Sequence, residues 1–301
     1  MKSSGFVLLH KPAGLTSFNA LFPLKRIFKT KRVGHAGTLD LRASGLIVAG
    51  VQRATRLLPY IESSDKFYTF RLHLGYSTET LEWDGPLIKQ DTSTSISKDQ
   101  LDIVLDQFRG AITQIPPNYS AVKVNGVRAS DLTLQGKAFD LKSRPVHIYE
   151  LEIIQENPEV PLNASGTAYS SFDIKCHCSK GTYIRSLCRD IGEALGTLGV
   201  VSNITRTQIG NIPLEKAHFT EEIGIEHLLS PDQVLDFPVL ELSSEQSKII
   251  RNGNWIPWKS AVENLGPDSH VFLKAADGEV ISLSRFEPGR ISPKLFIGST
   301  P

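Results

Sequence analysis

The sequence has few cysteines and no long hydrophobic run. Its 301 residues include three cysteines, Cys176, Cys178 and Cys188. This odd, low count argues against a disulfide framework and favours a reducing compartment. No stretch approaches the roughly 20 apolar residues that a membrane span requires. The N-terminus lacks the cationic start and apolar region of a secretory signal. We therefore expect a cytoplasmic protein that makes no membrane contact.

Motifs for a nucleotide cofactor or a metal are also missing. The chain has no phosphate-binding loop, dinucleotide fingerprint or nucleophile elbow. The run Cys176-His177-Cys178 suggests a metal cluster, but structural zinc normally takes four ligands in spaced pairs. Strand alternation also separates the two thiols from the histidine, so we interpret the cysteines as small buried hydrophobic residues. We expect chemistry by protein side chains alone, without a cofactor or metal.

Acidic residues are nearly absent from the first sixty positions. That segment carries ten Lys and Arg and a single carboxylate, Asp40, which lies in a glycine-rich loop. The other 241 residues carry 23 cations and 31 anions, so the net charge of +1 conceals a strong asymmetry. Such asymmetry suggests a face that binds an anionic partner, although a solvated basic surface is the simpler alternative.

The hydrophobic pattern predicts a mixed α/β fold. Residues 6–10 and 45–51 are predicted to be buried strands, and residues 66–75 alternate so that Tyr68 shares the apolar face. A helix is predicted to begin after Ser97, with Gln100 completing a capping box, and to end at Gly110. Residues 157–166 are predicted to form a loop, residues 184–195 an amphipathic helix, and residues 241–251 a helix. Residues 114–145 form an excursion from the core.

Asp40 allows two interpretations from its local sequence. An aspartate in a glycine-rich loop is often a turn former or a helix cap. Alternatively, Arg185 could hold the Asp40 carboxylate ionised and oriented through paired hydrogen bonds, as a covalent nucleophile requires. Arg185 could equally be a surface cation, and Tyr68 a core aromatic residue.

Five stretches resemble the motifs of one family. Residues 34–40, Gly-His-Ala-Gly-Thr-Leu-Asp, with Ala43-Ser44-Gly45, resemble the catalytic motif of the tRNA pseudouridine synthase B (TruB) family. The other four lie at residues 11–17, 65–68, 116–126 and 180–187, the last followed by residues 205–207. They follow the family's order over about residues 5–215.

This resemblance implies a role for each site residue. Asp40 is the nucleophile, Tyr68 stacks on the target base and is a candidate proton acceptor, and Arg185 is the partner of Asp40. Positions that line the base pocket or contact the RNA are His35, Arg56, Tyr183, Ile204 and Lys123.

Some residues depart from the family pattern. Leu41 stands where the family usually has proline, Ser44 where it has threonine and Arg56 where it has lysine. Residues 130–133 replace the usual tyrosine-containing run. These departures bear on loop rigidity and RNA affinity, and they leave Asp40, Tyr68 and Arg185 unchanged.

The resemblance also implies a fold and an activity. The fold is the pseudouridine synthase fold, with a mixed, largely antiparallel central sheet. Residues 1–237 form the catalytic domain, with an RNA-gripping insertion at about 114–145. Residues 238–301 form a small β-rich domain of the PUA type.

The implied enzyme is an isomerase, an intramolecular transferase. It converts uridine to pseudouridine at position 55 in the T arm of tRNA, as a monomer that needs no protein partner. Asp40 would attack C6 or C1′, or promote a glycal route. A non-catalytic RNA-binding or tRNA-folding protein and a synthase of a guide-RNA particle remain alternatives. The start of the chain near the first motif favours the stand-alone bacterial type.

Overall fold

The computed structural model describes residues 4–91, 95–161, 168–258, 265–266 and 268–298. The chain divides into two compact units. The first comprises Met1–Leu41, Gly45–Ser63 and Ile212–Pro301, and the second comprises Arg42–Ser44 and Ser64–Asn211.

The β-strands of the described residues are, in chain order, β1 (Gly5–Lys11), β2 (Val33–His35), β3 (Ser44–Val51), β4 (Lys66–Leu74), β5 (Tyr76–Thr78), β6 (Leu87–Gln90), β7 (Gly110–Gln114), β8 (Lys123–Val124), β9 (Val127–Arg128), β10 (Arg144–Pro161), β11 (Ala168–Cys178), β12 (Gly199–Ile209), β13 (Ile212–Pro213), β14 (Val239–Glu241), β15 (Ile256–Pro257), β16 (His270–Lys274), β17 (Val280–Glu287) and β18 (Arg290–Phe296).

The α-helices are α1 (Ser17–Ala20), α2 (Phe22–Ile27), α3 (Leu58–Glu62), α4 (Lys98–Leu105), α5 (Ala129–Leu134), α6 (Ile184–Ala194) and α7 (Ser244–Arg251). Short 3-10 helices cover Gln52–Leu57, Asp106–Phe108, Leu214–Lys216, Thr220–Glu222, Ile225–His227 and Pro231–Gln233.

In the first unit, β1 and β2 both pair antiparallel with β3. Strands β1 and β3 are buried nearly throughout, which explains why both could be predicted as apolar runs. The β2–β3 pairing places His35 opposite Ala49. The Asp40 loop connects β2 to β3.

A second sheet of the first unit is built from the C-terminal residues. Its strand order is β14-β16-β17-β18-β15, with β14 parallel to β16 and the other pairs antiparallel. Buried aliphatic side chains from the sheet and from α7 form its core. The predicted β-rich C-terminal part of the fold is therefore confirmed.

One predicted boundary in this region is wrong. Glu241 was expected in a helix, but it is the last residue of β14 and pairs with Lys274. Helix α7 begins after Ser243, whose hydroxyl accepts from the Gln246 backbone N–H in a capping box. The cap therefore determines where the helix starts.

The second unit contains an antiparallel sheet in the order β12-β4-β11-β10-β7. Strand β4 pairs with β12 on one side and with β11 on the other. Its side chains largely alternate as predicted, although His73 on the more exposed face is also buried. Phe70, Leu72 and Leu74 are buried, whereas Phe67 and Thr69 on the opposite face are partly exposed. The expected largely antiparallel pairing is therefore confirmed in this unit.

Helix α6 packs against β12 and β4 through a buried stripe. The approach of α6 to β12 is too close for a side chain on Gly199, where a Cβ would clash with the Cys188 carbonyl oxygen. Cys176, Cys178 and Cys188 are all free and buried. This agrees with their interpretation as small hydrophobic residues.

Two further boundaries differ from prediction. Residues 157–161 were expected in a loop but belong to β10, where pairing with β11 continues through bulges; residues 162–166 of that predicted loop lie outside the described residues. Helix α4 has the predicted Ser97–Gln100 capping box but ends at Leu105. Gly110 instead begins β7, with a φ of 89° that favours glycine.

Candidate active site

The backbone on the N-terminal side of Asp40 is held by a serine side chain. Ser17 is buried at the start of α1, and its Oγ donates to the Leu39 carbonyl oxygen at 3.0 Å. The same Oγ accepts from the Leu39 N–H at 2.9 Å. One hydroxyl therefore satisfies both backbone groups of the residue that precedes Asp40.

The backbone on the C-terminal side is held as well. The Leu41 carbonyl oxygen accepts from Gly14 N at 2.8 Å and from Lys11 Nζ at 3.4 Å. Lys11 is fully buried, and its ammonium also donates to the carbonyls of Pro12 and Leu15. These contacts use only the carbonyl of residue 41, so they do not depend on the side chain that distinguishes Leu41 from the family's proline.

Asp40 lies between these two anchored residues and is partly exposed. A carboxylate on a fixed and accessible backbone loses little orientational freedom when a substrate binds. Asp40 belongs to the first unit, whereas Tyr68 and Arg185 belong to the second.

Tyr68 lies on β4 directly opposite Arg206 of β12. Desolvation raises the pKa of the Tyr68 hydroxyl to about 12, although the charge and hydrogen bond of Arg206 act in the opposite direction. Arg206 is 1% exposed. The phenol is therefore protonated at neutral pH, and Arg206 donates a hydrogen bond to its oxygen.

Arg185 lies in the first turn of α6 and is 4% exposed. Its Nη1 donates to the Thr80 carbonyl at 3.1 Å, and its Nη2 donates to the Tyr119 carbonyl at 2.8 Å. The Tyr119 hydroxyl in turn donates to Glu79 at 2.8 Å. The guanidinium is therefore oriented by two separate loops, and it is a buried residue rather than a surface cation.

Two other predicted site residues, Tyr183 and Ile204, belong to the second unit. Tyr183 caps α6, and its backbone N–H donates to the Gln114 side chain at 3.0 Å. The Arg144 guanidinium lies 4.6 Å from the Tyr183 ring centroid, within the range of a cation–π contact. Ile204 is buried in β12 beside a register shift in its pairing with β4.

His35 and Arg56 belong to the first unit. His35 ends β2 and is partly buried. Arg56 lies in the last turn of the 3-10 helix Gln52–Leu57 and is exposed. Its guanidinium is therefore accessible to a phosphate group and carries the same charge as the lysine that the family usually has here.

Lys123 is exposed on a small hairpin within the insertion. Strands β8 and β9 pair with Lys123 opposite Arg128, and Asn125 and Gly126 form the turn with φ of 50° and 86°. Asn-Gly is the favoured pair for a turn with two positive φ angles. The hairpin therefore presents two cations side by side.

Ser44 keeps the hydroxyl that its threonine counterpart would supply. The Ser44 and Thr205 hydroxyl oxygens are 2.9 Å apart and share a hydrogen bond. Compared with threonine, serine lacks only a methyl group, so this departure from the family pattern leaves a hydroxyl available for the contact.

The sequence interpretation assigned no individual role to Ser17 or Arg206, and it counted Lys11 among the ten cations of a face that binds an anionic partner. Lys11 is instead fully buried and donates to backbone carbonyls, so it does not belong to such a face. All three lie inside the stretches that resemble family motifs, at residues 11–17 and 205–207. Their position inside the motifs could therefore have marked these three residues as candidates. Their hydrogen-bond partners could not have been identified from the spacing of the motifs.

Among the described residues, no group of three or more His, Cys, Asp or Glu is arranged to hold a metal ion. No helix in the described part of the chain is long and apolar enough to cross a membrane.

Comparison with solved structures defines the class of fold. The structure of an H/ACA RNP bound to a substrate RNA containing 2'-deoxyuridine matches with a TM-score of 0.70 at 17% identity, covering 98% of this chain and 86% of that one. A Cbf5-Nop10-Gar1 complex matches with a TM-score of 0.67 at 20% identity, covering 98% and 85%. The shared architecture is the pseudouridine synthase fold, as expected.

Sequence comparison defines the family. The model described as "TruB family pseudouridylate synthase (N terminal domain)" matches residues 25–184. The tRNA pseudouridine synthase B of Borrelia garinii subsp. bavariensis is 34% identical, covering 93% of this chain and 94% of that one. The protein of the same name from Mycolicibacterium paratuberculosis is 35% identical over 96% of both. The chain belongs to the TruB family of pseudouridylate synthases.

Proposed function

We propose that this protein converts uridine to pseudouridine at position 55 in the T arm of tRNA, with Asp40 as the nucleophile. The observation that carries the proposal is the hydrogen bonding of both residues that flank Asp40, Leu39 and Leu41. A carboxylate whose backbone is held on both sides suits a reaction in which one group must attack in a fixed direction. The name tRNA pseudouridine synthase B, which both of these relatives carry, supports tRNA as the substrate.

The reaction needs no oxidant or reductant. The bond from C1′ to N1 breaks, the uracil turns and C5 bonds to C1′. The proton on C5 leaves to solvent and N1 takes up a proton, so the product is an isomer of the substrate. Asp40 would attack C6 or C1′, or stabilise a ribosyl cation on a glycal route. In each case the ionised carboxylate does the work.

The remaining site residues support this assignment. By the family resemblance, Arg185 would be the partner that holds the Asp40 carboxylate ionised. Tyr68 would stack on the uracil. Because burial raises its pKa to about 12, the Tyr68 phenol already holds its proton at neutral pH. It would have to lose that proton before it could accept another, so it would act mainly by stacking and hydrogen bonding. His35, Tyr183 and Ile204 would line the pocket for the flipped nucleotide.

RNA recognition would come from the basic first segment and from the insertion. Arg56 and Lys123 are exposed and would contact phosphates. Binding should therefore weaken as salt rises.

We further propose that residues 238–301 act as a PUA-type RNA-binding domain attached to a catalytic domain of residues 1–237. We also propose that the chain acts as a cytoplasmic monomer without a protein partner.

The test uses an unmodified tRNA transcript and a T-arm hairpin carrying 5-tritiated uridine. The wild-type protein should release tritium from the hairpin, and chemical mapping of the tRNA should find pseudouridine at position 55. A hairpin with cytidine at that position, tritiated at its other uridines, should release none. Lack of release from any tRNA would refute the enzyme assignment and favour a binding-only protein. Pseudouridine at a different position would refute the proposed site.

A further inference from the structure

Helices α1 and α2 present an exposed pair of aromatic rings. Phe18 is 59% exposed and Phe22 is 51% exposed. The rings meet edge to face, with centroids 5.1 Å apart and an interplanar angle of 84°. Lys25 Nζ lies 5.0 Å from the Phe18 centroid and 4.6 Å from the Phe22 centroid. We refer to Phe18, Phe22 and Lys25 together as the aromatic surface.

The sequence that follows the aromatic surface is rich in positive charge. Five cations follow within residues 25–32, and the only acid in the first sixty residues is Asp40. The four cations after Lys25 are all exposed: Arg26, Lys29, Lys31 and Arg32. Aromatic faces that take bases, set among cations that take phosphates, are how proteins hold unpaired nucleic acid. The charge therefore favours RNA over an apolar protein partner.

The aromatic surface is tied to the Asp40 loop. Phe18 follows Ser17, whose hydroxyl bonds to both backbone groups of Leu39, and Leu39 precedes Asp40. Two Cα steps of 3.8 Å and one serine-to-backbone link put the Cα atoms of Phe18 and Asp40 roughly 14 Å apart at most. Both lie in the first unit. An RNA loop that delivers a nucleotide to Asp40 therefore passes within reach of the aromatic surface.

We propose that the aromatic surface stacks against an unpaired base of the RNA substrate, near the nucleotide held at Asp40. This inference rests on the proposed function, because the occupant is the substrate itself. Lys25 would hold a phosphate of the same strand while its ammonium stays over the two rings. The site would contribute to RNA affinity and would leave the chemical step unchanged.

Two alternative roles for the aromatic surface would give different results in the same experiment. In the first alternative, the ring pair at spacing i, i+4 does no more than stabilise these short helices. In the second, the aromatic surface binds a second copy of the chain. The variants are Phe18→Leu/Phe22→Leu, which keeps apolar side chains but removes aromatic faces, and Lys25→Gln. The control is Ile103→Ala on α4, which removes another exposed apolar side chain, 69% exposed.

The measurements are the Kd for a T-arm hairpin, its salt dependence, and steady-state tritium release. The double leucine variant should bind roughly five- to hundredfold more weakly, the range for one stacked base, with raised KM and unchanged kcat. Its salt slope should match that of the wild type, whereas Lys25→Gln should reduce the slope by about one unit. A series of hairpins, each with 2-aminopurine at a different loop position, locates the stacked base. At one position the wild-type protein should quench the fluorescence and the double leucine variant should not.

Unchanged Kd in the double leucine variant would overturn the inference. So would a loss of affinity fully explained by a lower melting temperature, or a change in oligomeric state with RNA affinity retained. If the wild type binds RNA through the aromatic surface but releases no tritium, the enzyme assignment fails and the stacking site stands. If the wild type binds no RNA, both fail.

Discussion

Replacing Ser17 by alanine tests whether the Asp40 loop must be held for catalysis. The change removes the hydroxyl that bonds to both the N–H and the carbonyl of Leu39. Leu39 is 5% exposed, so water cannot readily replace these bonds. An unsatisfied buried donor costs about 1–3 kcal/mol. For a protein of this size we expect the melting temperature to fall by roughly 2–10 °C.

The effect on rate should be larger than the effect on stability suggests. A displacement of about 1 Å in a reacting group can cost roughly a hundredfold. We therefore expect the single-turnover rate of tritium release at 25 °C to fall roughly ten- to hundredfold in Ser17→Ala. Saturating enzyme removes any contribution from weaker RNA binding.

Ser282→Ala is the matched control. Ser282 is fully buried in the C-terminal sheet, and its Oγ shares a 2.8 Å hydrogen bond with the Ser284 hydroxyl. This variant should lose stability to a similar degree and keep the wild-type rate. A full rate in Ser17→Ala would refute the reasoning, as would an equal loss of rate in Ser282→Ala.

Three further changes test other parts of the structure. Arg206→Met should raise the pKa of Tyr68 further, because the charge and hydrogen bond of Arg206 lower it. Titration of the variant with and without Tyr68→Phe isolates the Tyr68 signal, and a lowered pKa would contradict this expectation. Burial lowers the pKa of His73 to about 4, so the unfolded state binds more protons between about pH 6.5 and 4 and stability falls as pH falls through that window. His73→Gln should remove at most about 3 kcal/mol of that fall in urea unfolding; an unchanged pH dependence would count against it. Gly126→Ala should weaken RNA binding several-fold because φ is 86°, whereas Asn125→Gly should not; equal affinities would show that the turn is unimportant.

Local patterns predicted the elements whose burial or capping is local. The alternation of β4 and the Ser97–Gln100 cap depend on near neighbours in the chain, and both were confirmed. Residues 157–161 were predicted wrongly because Asn157 and two prolines favour a loop. The long partner strand β11 instead keeps them in β10. Pairing between distant residues decides such cases.

For the candidate site, the sequence indicated the residues but not the contacts that orient them. Asp40, Tyr68 and Arg185 were identified by resemblance to a family, since their residue types and order carry that signal. The contacts that support them join residues far apart in sequence. Ser17 and Leu39 are separated by 22 residues, and Arg185 and Thr80 by 105. No periodicity indicates such pairs, so the interactions that orient the site required the structure.

The most direct test of the account is tritium release by Asp40→Asn. The substitution keeps the size of the side chain but removes its ability to act as an ionised nucleophile. We predict no release above background from a T-arm hairpin with 5-tritiated uridine, while the Kd for that hairpin stays within about twofold of the wild-type value. Release at a rate comparable to that of the wild type would contradict the central claim.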